Sequence, residues 1–124
     1  MTPPTVLLDR SFLAALVDES HERAAEAGQR YAELVTRYRD HEIRLRARHD
    51  HLAEIDPEVR RTLLAPVERI SVARQFRRQA DRLELPFEVD PDVAVTLVVM
   101  RRETIDRIAT FDDTFDLIWL QPLA

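Results

Sequence analysis

The stretch that decides the fold lies near the end of the chain and reads Arg107-Ile108-Ala109-Thr110-Phe111-Asp112-Asp113-Thr114-Phe115-Asp116. A short apolar segment leads into a threonine and then into a dense group of carboxylates. This order is typical of a buried parallel strand that ends at an acidic site. We therefore predict a strand over residues 107–110, with Asp112 just beyond its carboxyl end.

The beginning of the chain repeats this design. Residues 6–8 form a short apolar segment, and Asp9 follows it directly. The carboxyl ends of parallel strands lie at one edge of a sheet, and ligands of open α/β sheets bind at that edge. We therefore expect Asp9 and Asp112 to face each other at the ends of adjacent parallel strands, where they would form a metal site.

Composition limits the class of protein. The 124 residues, 45% of them hydrophobic, are enough for one domain with a single core, so we expect a single domain over residues 1–124. The net charge of −5 offers no general attraction to nucleic acid, so any polyanion must bind locally. All 18 basic residues are arginine, and the absence of cysteine excludes disulfides and thiolate chemistry.

Two further features indicate where the protein functions. The longest apolar run, residues 93–100, is far too short to span a bilayer. No basic segment precedes residues 6–8, so the start of the chain does not resemble a secretory signal. We expect a cytoplasmic protein without a membrane segment.

Short strands and helices alternate along the chain. Apolar patterns predict strands over residues 6–8, 43–47, 70–72, 107–110 and 117–120. Ser11 and Ser20 are expected to cap the first two helices, the second of which runs to about residue 38, and Gly28 inside it could allow a close backbone approach. Further helices are predicted from Pro57, over 73–83 and from Asp90-Pro91. This alternation predicts a three-layer α/β/α fold with a mainly parallel sheet of four or five strands.

Several motifs resemble those of the PIN-domain nucleases, and especially of the VapC-like toxins. Asp9-Arg10-Ser11 matches an Asp-x-Ser motif after the first strand, and His21-Glu22-Arg23-Ala24 matches a His-x-x-Ala helix opening. Glu54 matches a glutamate in the helix after strand two. Residues 110–115 match the closing motif Thr-x-Asp-x-x-Phe. The resemblance extends over essentially the whole chain.

The resemblance implies a PIN-like domain that acts as a metal-dependent endoribonuclease of the toxin type. Its catalytic acids would be Asp9, Glu54, Asp92 and Asp112, with Asp9, Asp92 and Asp112 binding Mg²⁺ or Mn²⁺. Ser11, Thr110 and Asp116 would support these carboxylates through hydrogen bonds. Crowded carboxylates need a divalent cation between them, and oxygen-only ligation favours these two metals. The implied partners are an RNA substrate, a second copy of the chain in a homodimer, and a small antitoxin protein.

Three positions depart from the family pattern. The family commonly reads Asp-Ala-Val-Thr-Leu at the crossover helix, whereas residues 92–97 here contain one additional residue, so Val93 stands in register with the family's aspartate. One residue corresponds to about 100° of rotation on a helix, enough to move the Asp92 carboxylate off a metal. The usual glycine before the last strand is Thr104, and Ala47-Arg48 replaces a threonine or serine after strand two.

Other interpretations of the same residues stay open. Glu42 is a rival to Glu54, and Asp9, Asp90 and Asp92 are also ordinary helix-cap or first-turn acids. His49-Asp50-His51, with His41 or His21 nearby, could form a zinc site, although the spacing matches no established zinc motif. The following arginines could form either a phosphate-binding rim or a solvated face that neutralises nearby acids: Arg44, Arg46, Arg48, Arg74, Arg77 and Arg78.

Two alternative functions follow from these interpretations. A degenerate PIN-like domain would bind RNA or a protein partner without cutting. An unrelated α/β regulatory domain would use its acids only to cap helices. Clustering of Asp9 with Asp112 would exclude the second alternative, and the position of Asp92 bears on the first.

Overall fold

Strands and helices alternate through the part of the chain that the computed structural model describes, residues 2–85 and 87–119. Its elements, in chain order, are β1 (Thr5–Leu8), α1 (Arg10–Val17), α2 (Ala24–Arg39), β2 (Arg44–Arg48), α3 (His49–Leu52), α4 (Pro57–Thr62), β3 (Val67–Ile70), α5 (Arg74–Asp81), α6 (Pro91–Arg102), β4 (Arg107–Ala109) and α7 (Thr114–Trp119).

All strand pairs of the sheet are parallel, and the strand order is β3-β2-β1-β4. The central strand β1 pairs with β2 on one side, where Leu7 is in register with Arg46, and with β4 on the other, where Leu7 is in register with Ile108. The carboxyl ends of all four strands therefore lie at one edge of the sheet. The two strands that precede Asp9 and Asp112, β1 and β4, are neighbours, as the sequence predicted.

Alternating side chains of β1 bury themselves in two different cores. Val6 and Leu8 pack in a cluster with residues of α1 and α2, including Phe12. Leu7 points to the opposite face and packs in a cluster with residues of α5 and α6, including Val99. Helices thus cover both faces of the sheet, and the predicted three-layer α/β/α architecture with a parallel sheet is confirmed.

Helix α6 is the most deeply buried helix of the described chain. Every residue from Val93 to Met100 is buried, as expected for a crossover helix packed on a sheet. Its start was predicted correctly: the Asp90 side chain accepts a hydrogen bond from the Asp92 backbone N–H at 2.8 Å, and Pro91 occupies the first turn.

The predicted fifth strand, residues 117–120, is wrong where the structure describes it, because residues 114–119 form α7 and Leu120 lies outside the described residues. A short apolar run alone does not distinguish a strand from a helix. The helix starts because an Asp112 carboxylate oxygen accepts the backbone N–H of Thr114 at 2.9 Å, as an N-cap side chain does.

Several smaller predictions also need correction. Strand β3 covers Val67–Ile70 rather than 70–72, because Val67 is in register with Leu45 of β2. Helix α1 is preceded by Asp9 and already contains Ser11, and α2 begins at Ala24, after a turn in which Ser20 binds the Asp18 carboxylate. Gly28 is exposed, and a Cβ built there would meet no atom within 4 Å, so no close approach requires this glycine.

The backbone conformation of Thr104 is one that favours glycine. Its φ is 55°, in the left-handed region, where a β-branched side chain is strained. The backbone N–H of Ile105 bonds the Met100 carbonyl at 2.8 Å, and that of Thr104 bonds the Arg101 carbonyl at 3.3 Å. These two bonds define a Schellman motif, whose left-handed residue is most often glycine.

We predict that Thr104→Gly increases the free energy of unfolding by about 1 kcal/mol, because the strain of the left-handed threonine is removed. Thr104→Ala is the matched control, since it keeps a Cβ atom and should gain less. Urea unfolding of the three proteins measures both effects. An alanine variant at least as stable as the glycine variant would contradict this explanation.

Candidate acidic site at the carboxyl edge of the sheet

Asp9 is held in place by two hydroxyl groups from opposite ends of the chain. It directly follows β1, is 5% exposed, and its backbone N–H continues the pairing with β4 by bonding the Ala109 carbonyl at 3.0 Å. The hydroxyls of Ser11 and Thr110 donate to the same carboxylate oxygen, Oδ2, at 2.9 and 2.7 Å. No described residue donates to Oδ1, which is therefore the oxygen available to a cation.

Asp112 joins this network through Thr110. Its backbone N–H donates to the Thr110 hydroxyl at 3.0 Å, and the N–H of Phe111 donates to the Ser11 hydroxyl at 3.0 Å. The structure thus brings Asp9, Ser11, Thr110 and Asp112 together at the ends of two adjacent parallel strands. The Asp112 carboxylate caps α7, but the Asp9 carboxylate caps no helix and binds Ser11 and Thr110 instead, so this arrangement argues against a domain whose acids only cap helices.

The predicted supporting role of Asp116 has no counterpart in the hydrogen-bond network. Asp116 is exposed in the first turn of α7, and no described hydrogen bond joins its side chain to Asp9 or Asp112. Ser11 and Thr110, in contrast, lie where the sequence predicted them.

Arg48 is the residue that the sequence analysis did not assign to the site. Its side chain is 1% exposed and binds the Asp50 carboxylate through two nitrogens, at 3.0 and 2.5 Å. A third nitrogen lies 3.0 Å from the Asp92 carboxylate and donates to the Thr96 hydroxyl at 2.9 Å. The replacement of a threonine or serine at this position could have drawn attention to Arg48. The sequence alone does not show that its guanidinium group turns inward.

Asp92 is bound on the β2 side of the edge. The buried His51 ring lies with its Nε2 at 3.1 Å from both Asp92 carboxylate oxygens, next to Arg48. Burial raises the pKa of Asp92, but the hydrogen bond with His51 and the charges of His51, Arg48 and Arg10 outweigh it, so the pKa lies below its usual value. Burial also raises the pKa of Asp50, but the hydrogen bond and the charge of Arg48 outweigh it, so this pKa is lowered as well.

Glu54 lies in the turn after α3 and is held by Arg10. The Arg10 Nε donates to one Glu54 oxygen at 3.1 Å, a second Arg10 nitrogen binds the other, and Arg10 also lies 3.9 Å from Asp92. The hydrogen bond with Glu54 raises the pKa of Arg10. Arg10, which directly follows Asp9 in the sequence, therefore connects Glu54 with Asp92.

Glu42, the rival to Glu54, lies at the other end of β2. It lies before the start of that strand at Arg44, and its carboxylate pairs with Arg37 at 3.3 Å. The amino edge of a parallel sheet is opposite the edge that carries Asp9. The geometry therefore favours Glu54.

The arginine rim is largely engaged with acids. Arg44 pairs with Glu68, Arg46 with Glu68 and Glu103, and Arg77 with Asp50. With Arg48 included, four of the six candidate arginines neutralise nearby carboxylates. For Arg44, Arg46 and Arg77, the structure supports the second of the two interpretations, whereas Arg48 neutralises its acids from a buried position.

The zinc hypothesis has only a partial counterpart. In the described chain, Asp50, His51 and Asp92 offer ligand atoms that all lie within 4.8 Å of one another, whereas His49 is exposed. Both carboxylates already bind the buried guanidinium of Arg48, so a dication would have to sit beside a second fixed positive charge. These three residues do not fit a metal site as they stand.

The oxygen donors of Asp9 and Asp112 fit Mg²⁺ or Mn²⁺ better. Both residues end neighbouring strands, and the hydrogen bonds of Ser11 and Thr110 orient Asp9 without using its second oxygen. Metal-binding carboxylates are commonly oriented in this way. Asp92 is the exception among the predicted ligands, because His51 and Arg48 hold it.

The fold is that of a PIN-like domain. It is similar to the crystal structure of Mycobacterium tuberculosis VapC20, a toxin that cleaves the sarcin–ricin loop, with a TM-score of 0.66 over 91% of this chain and 94% of that chain. The sequence identity is 19%, so the likeness shows the fold alone. No protein-family model and no curated protein matches the sequence. Among the described helices, none combines the length and the apolar character that crossing a membrane requires.

We predict that Arg48→Met lowers the free energy of unfolding by about 2–3 kcal/mol at neutral pH, because the partly buried Asp50 and Asp92 lose their charged hydrogen-bond donor. Arg44→Met, which breaks the exposed pair with Glu68, is the control and should cost at most about 1 kcal/mol. Urea unfolding measures both losses.

The Arg48 effect should depend on pH. The pKa values of Asp50 and Asp92 lie below 3.8 in the folded chain, so their pairing stabilises the protein above that pH and is lost as the pH falls through the folded values. The difference between the parent and Arg48→Met should therefore narrow in acid. If the two proteins differ in free energy of unfolding by the same amount at neutral and acidic pH, Arg48 acts through packing alone.

Proposed function

We propose that this protein is a metal-dependent endoribonuclease of the toxin type, acting on RNA phosphodiesters. The observation that carries this proposal is the shared hydrogen-bond network of Asp9, Ser11, Thr110 and Asp112 at the carboxyl edge of the sheet. The likeness to a toxin that cleaves an RNA loop supports it. A homodimer, a small antitoxin protein and a cytoplasmic location belong to the same proposal.

The proposed roles follow from the contacts. Asp9 and Asp112 bind the metal, and Ser11 and Thr110 keep the Asp9 carboxylate in one orientation. A bound Mg²⁺ or Mn²⁺ supplies the Lewis acid that activates water and offsets the charge of the phosphodiester. Glu54 lies beside Arg10, so its carboxylate becomes available to orient water when Arg10 turns toward a substrate phosphate.

A second candidate function is favoured by the position of Asp92. His51 and Arg48 bind its carboxylate, whereas Val93, in the register of the family's aspartate, packs with Leu97 and the Phe115 that follows Asp112. The residue of α6 that packs with Phe115, three positions after Asp112, is therefore a valine and not an acid. This observation favours a degenerate domain that binds RNA or a protein partner without cutting.

We predict that Mn²⁺ raises the melting temperature of the parent, because it binds the folded state alone; the gain is about 2.7 kcal/mol at roughly one hundred times the dissociation constant. Asp112→Asn should lose most of this response and gain stability without metal, since one of two neighbouring carboxylates is neutralised. Its amide oxygen can still accept the Thr114 N–H. Asp113→Asn, at an exposed neighbouring acid, is the control and should respond like the parent.

Cleavage of a structured RNA tests the proposal itself. With a metal titration, we expect weak cutting by the parent at high Mn²⁺ only, no cutting by Asp112→Asn, and unchanged cutting by Asp113→Asn. A metal-dependent melting shift without any cutting would favour the binding-only function. Absence of both would contradict the nuclease proposal.

Val93→Asp should restore the family register without changing the length of α6. We expect it to destabilise the metal-free protein, because position 93 is 7% exposed, and to increase both the Mn²⁺-dependent melting shift and the rate of RNA cleavage. Val93→Asn is the matched control, with a similar shape and no charge. Equal metal responses of the two variants would show that position 93 does not face the metal.

A further inference from the structure

A cavity of about 430 Å³ lies between α4 and the edge strand β3, outside the acidic site. Leu52 and Leu64, each 3% exposed, form its floor, and Arg60, Arg61 and Arg69 lie around it. We call this cavity the arginine pocket. Its volume is within the range of about 300–1,000 Å³ that is usual for small-ligand sites.

The three arginines of the pocket have no acidic partner. In the described part of the chain, none of their guanidinium groups lies within ion-pair distance of a carboxylate, and no acid lines the cavity. The Nε atom of Arg60 is buried and has no hydrogen-bond partner among the described residues. A buried donor without a partner costs free energy, and a bound acceptor would recover it.

The grouping of three arginines without an acid distinguishes the pocket from the other described cavities, one of which holds Arg39 alone. The arginines of β2 are paired with acids, and a second cavity that contains Arg82 and Arg102 also contains Glu84. A chain with a net charge of −5 can attract a polyanion only through such a local cluster. The pocket therefore has the chemistry of an anion site with an apolar floor.

We propose that the arginine pocket binds a phosphate group of RNA, with the attached nucleoside against the apolar floor. This inference rests on the proposed action on RNA. Guanidinium groups bind phosphate through paired hydrogen bonds, and such contacts position a nucleic acid without reading its sequence.

The place of the pocket in the sheet makes it a positioning site rather than a reaction site. Strand β3 is two strands from β1, a distance of about 10 Å at the usual strand spacing. Leu52 directly follows His51, which binds Asp92, so α3 connects the pocket to the acidic edge. The bound phosphate is therefore not the one that would be cleaved.

The test measures binding of a fluorescent structured RNA in EDTA, at several salt concentrations. The pocket variant is Arg61→Gln with Arg69→Gln, because both side chains are exposed and their replacement should leave the fold intact. The matched control is Arg82→Gln with Arg107→Gln, which removes the same charge at two exposed positions that do not line the pocket. A second pocket variant, Arg60→Gln, tests the buried donor.

We expect the pocket variant to bind RNA roughly tenfold more weakly. The slope of log K against log salt should become shallower by about one, because the contact with one phosphate is lost. The control should stay within about twofold of the parent. In Mn²⁺, the pocket variant should raise KM and keep kcat, as a positioning site requires. Equal RNA affinity and KM in parent and pocket variant would overturn the inference while leaving the nuclease proposal intact.

Two further outcomes separate the two proposals. If the parent binds RNA through the pocket but does not cut it, the pocket inference holds and the binding-only function replaces the nuclease. If a polyglutamate peptide binds through the pocket and RNA does not, the pocket serves an acidic protein segment, and the RNA inference is overturned.

Discussion

Parallel pairing of β1 with β4 is the constraint on which the acidic site depends. The two strands come from opposite ends of the chain, and Asp9 extends their pairing through its backbone bond to Ala109. This one bond fixes the height of Asp9 relative to Thr110, whose hydroxyl then meets both the Asp9 carboxylate and the Asp112 N–H. A shift of one residue would turn these side chains to the other face of the sheet.

Arg48 imposes the second constraint, because a fully buried guanidinium must be surrounded by acceptors. Asp50, Asp92 and Thr96 supply them, and they join β2 and α3 to the first turns of α6. The same contacts commit the Asp92 carboxylate to the β2 side of the edge. The Asp92 carboxylate is thus engaged by Arg48 and His51, an engagement to which a smaller threonine or serine at position 48 would not contribute.

The sequence predicted the features that depend on local pattern or on matched strand ends. The strands β1 and β4, the start of α6 and the hydroxyl groups around Asp9 belong to this group. What it missed depends on contacts between distant residues: the inward turn of Arg48 needs Asp92 and Thr96, which are more than forty positions away. The helical run after Asp112 was missed because its apolar letters fit either structure, and only the bond to Thr114 decides between them.

The additional residue in α6 and Arg48, the last residue of β2, are best understood together. A rotation of about 100° carries the carboxylate from the side of Phe115 to the side of His51, where it is partly buried and loses part of its hydration. Arg48 removes that cost, because it supplies a fixed cation at this point. Without Asp92, Arg48 would keep Asp50 but lose the acceptor of its third nitrogen, and without Arg48, Asp92 would lose its buried cation. The two departures therefore stabilise each other, and a reversal of the register must be judged together with a change at position 48.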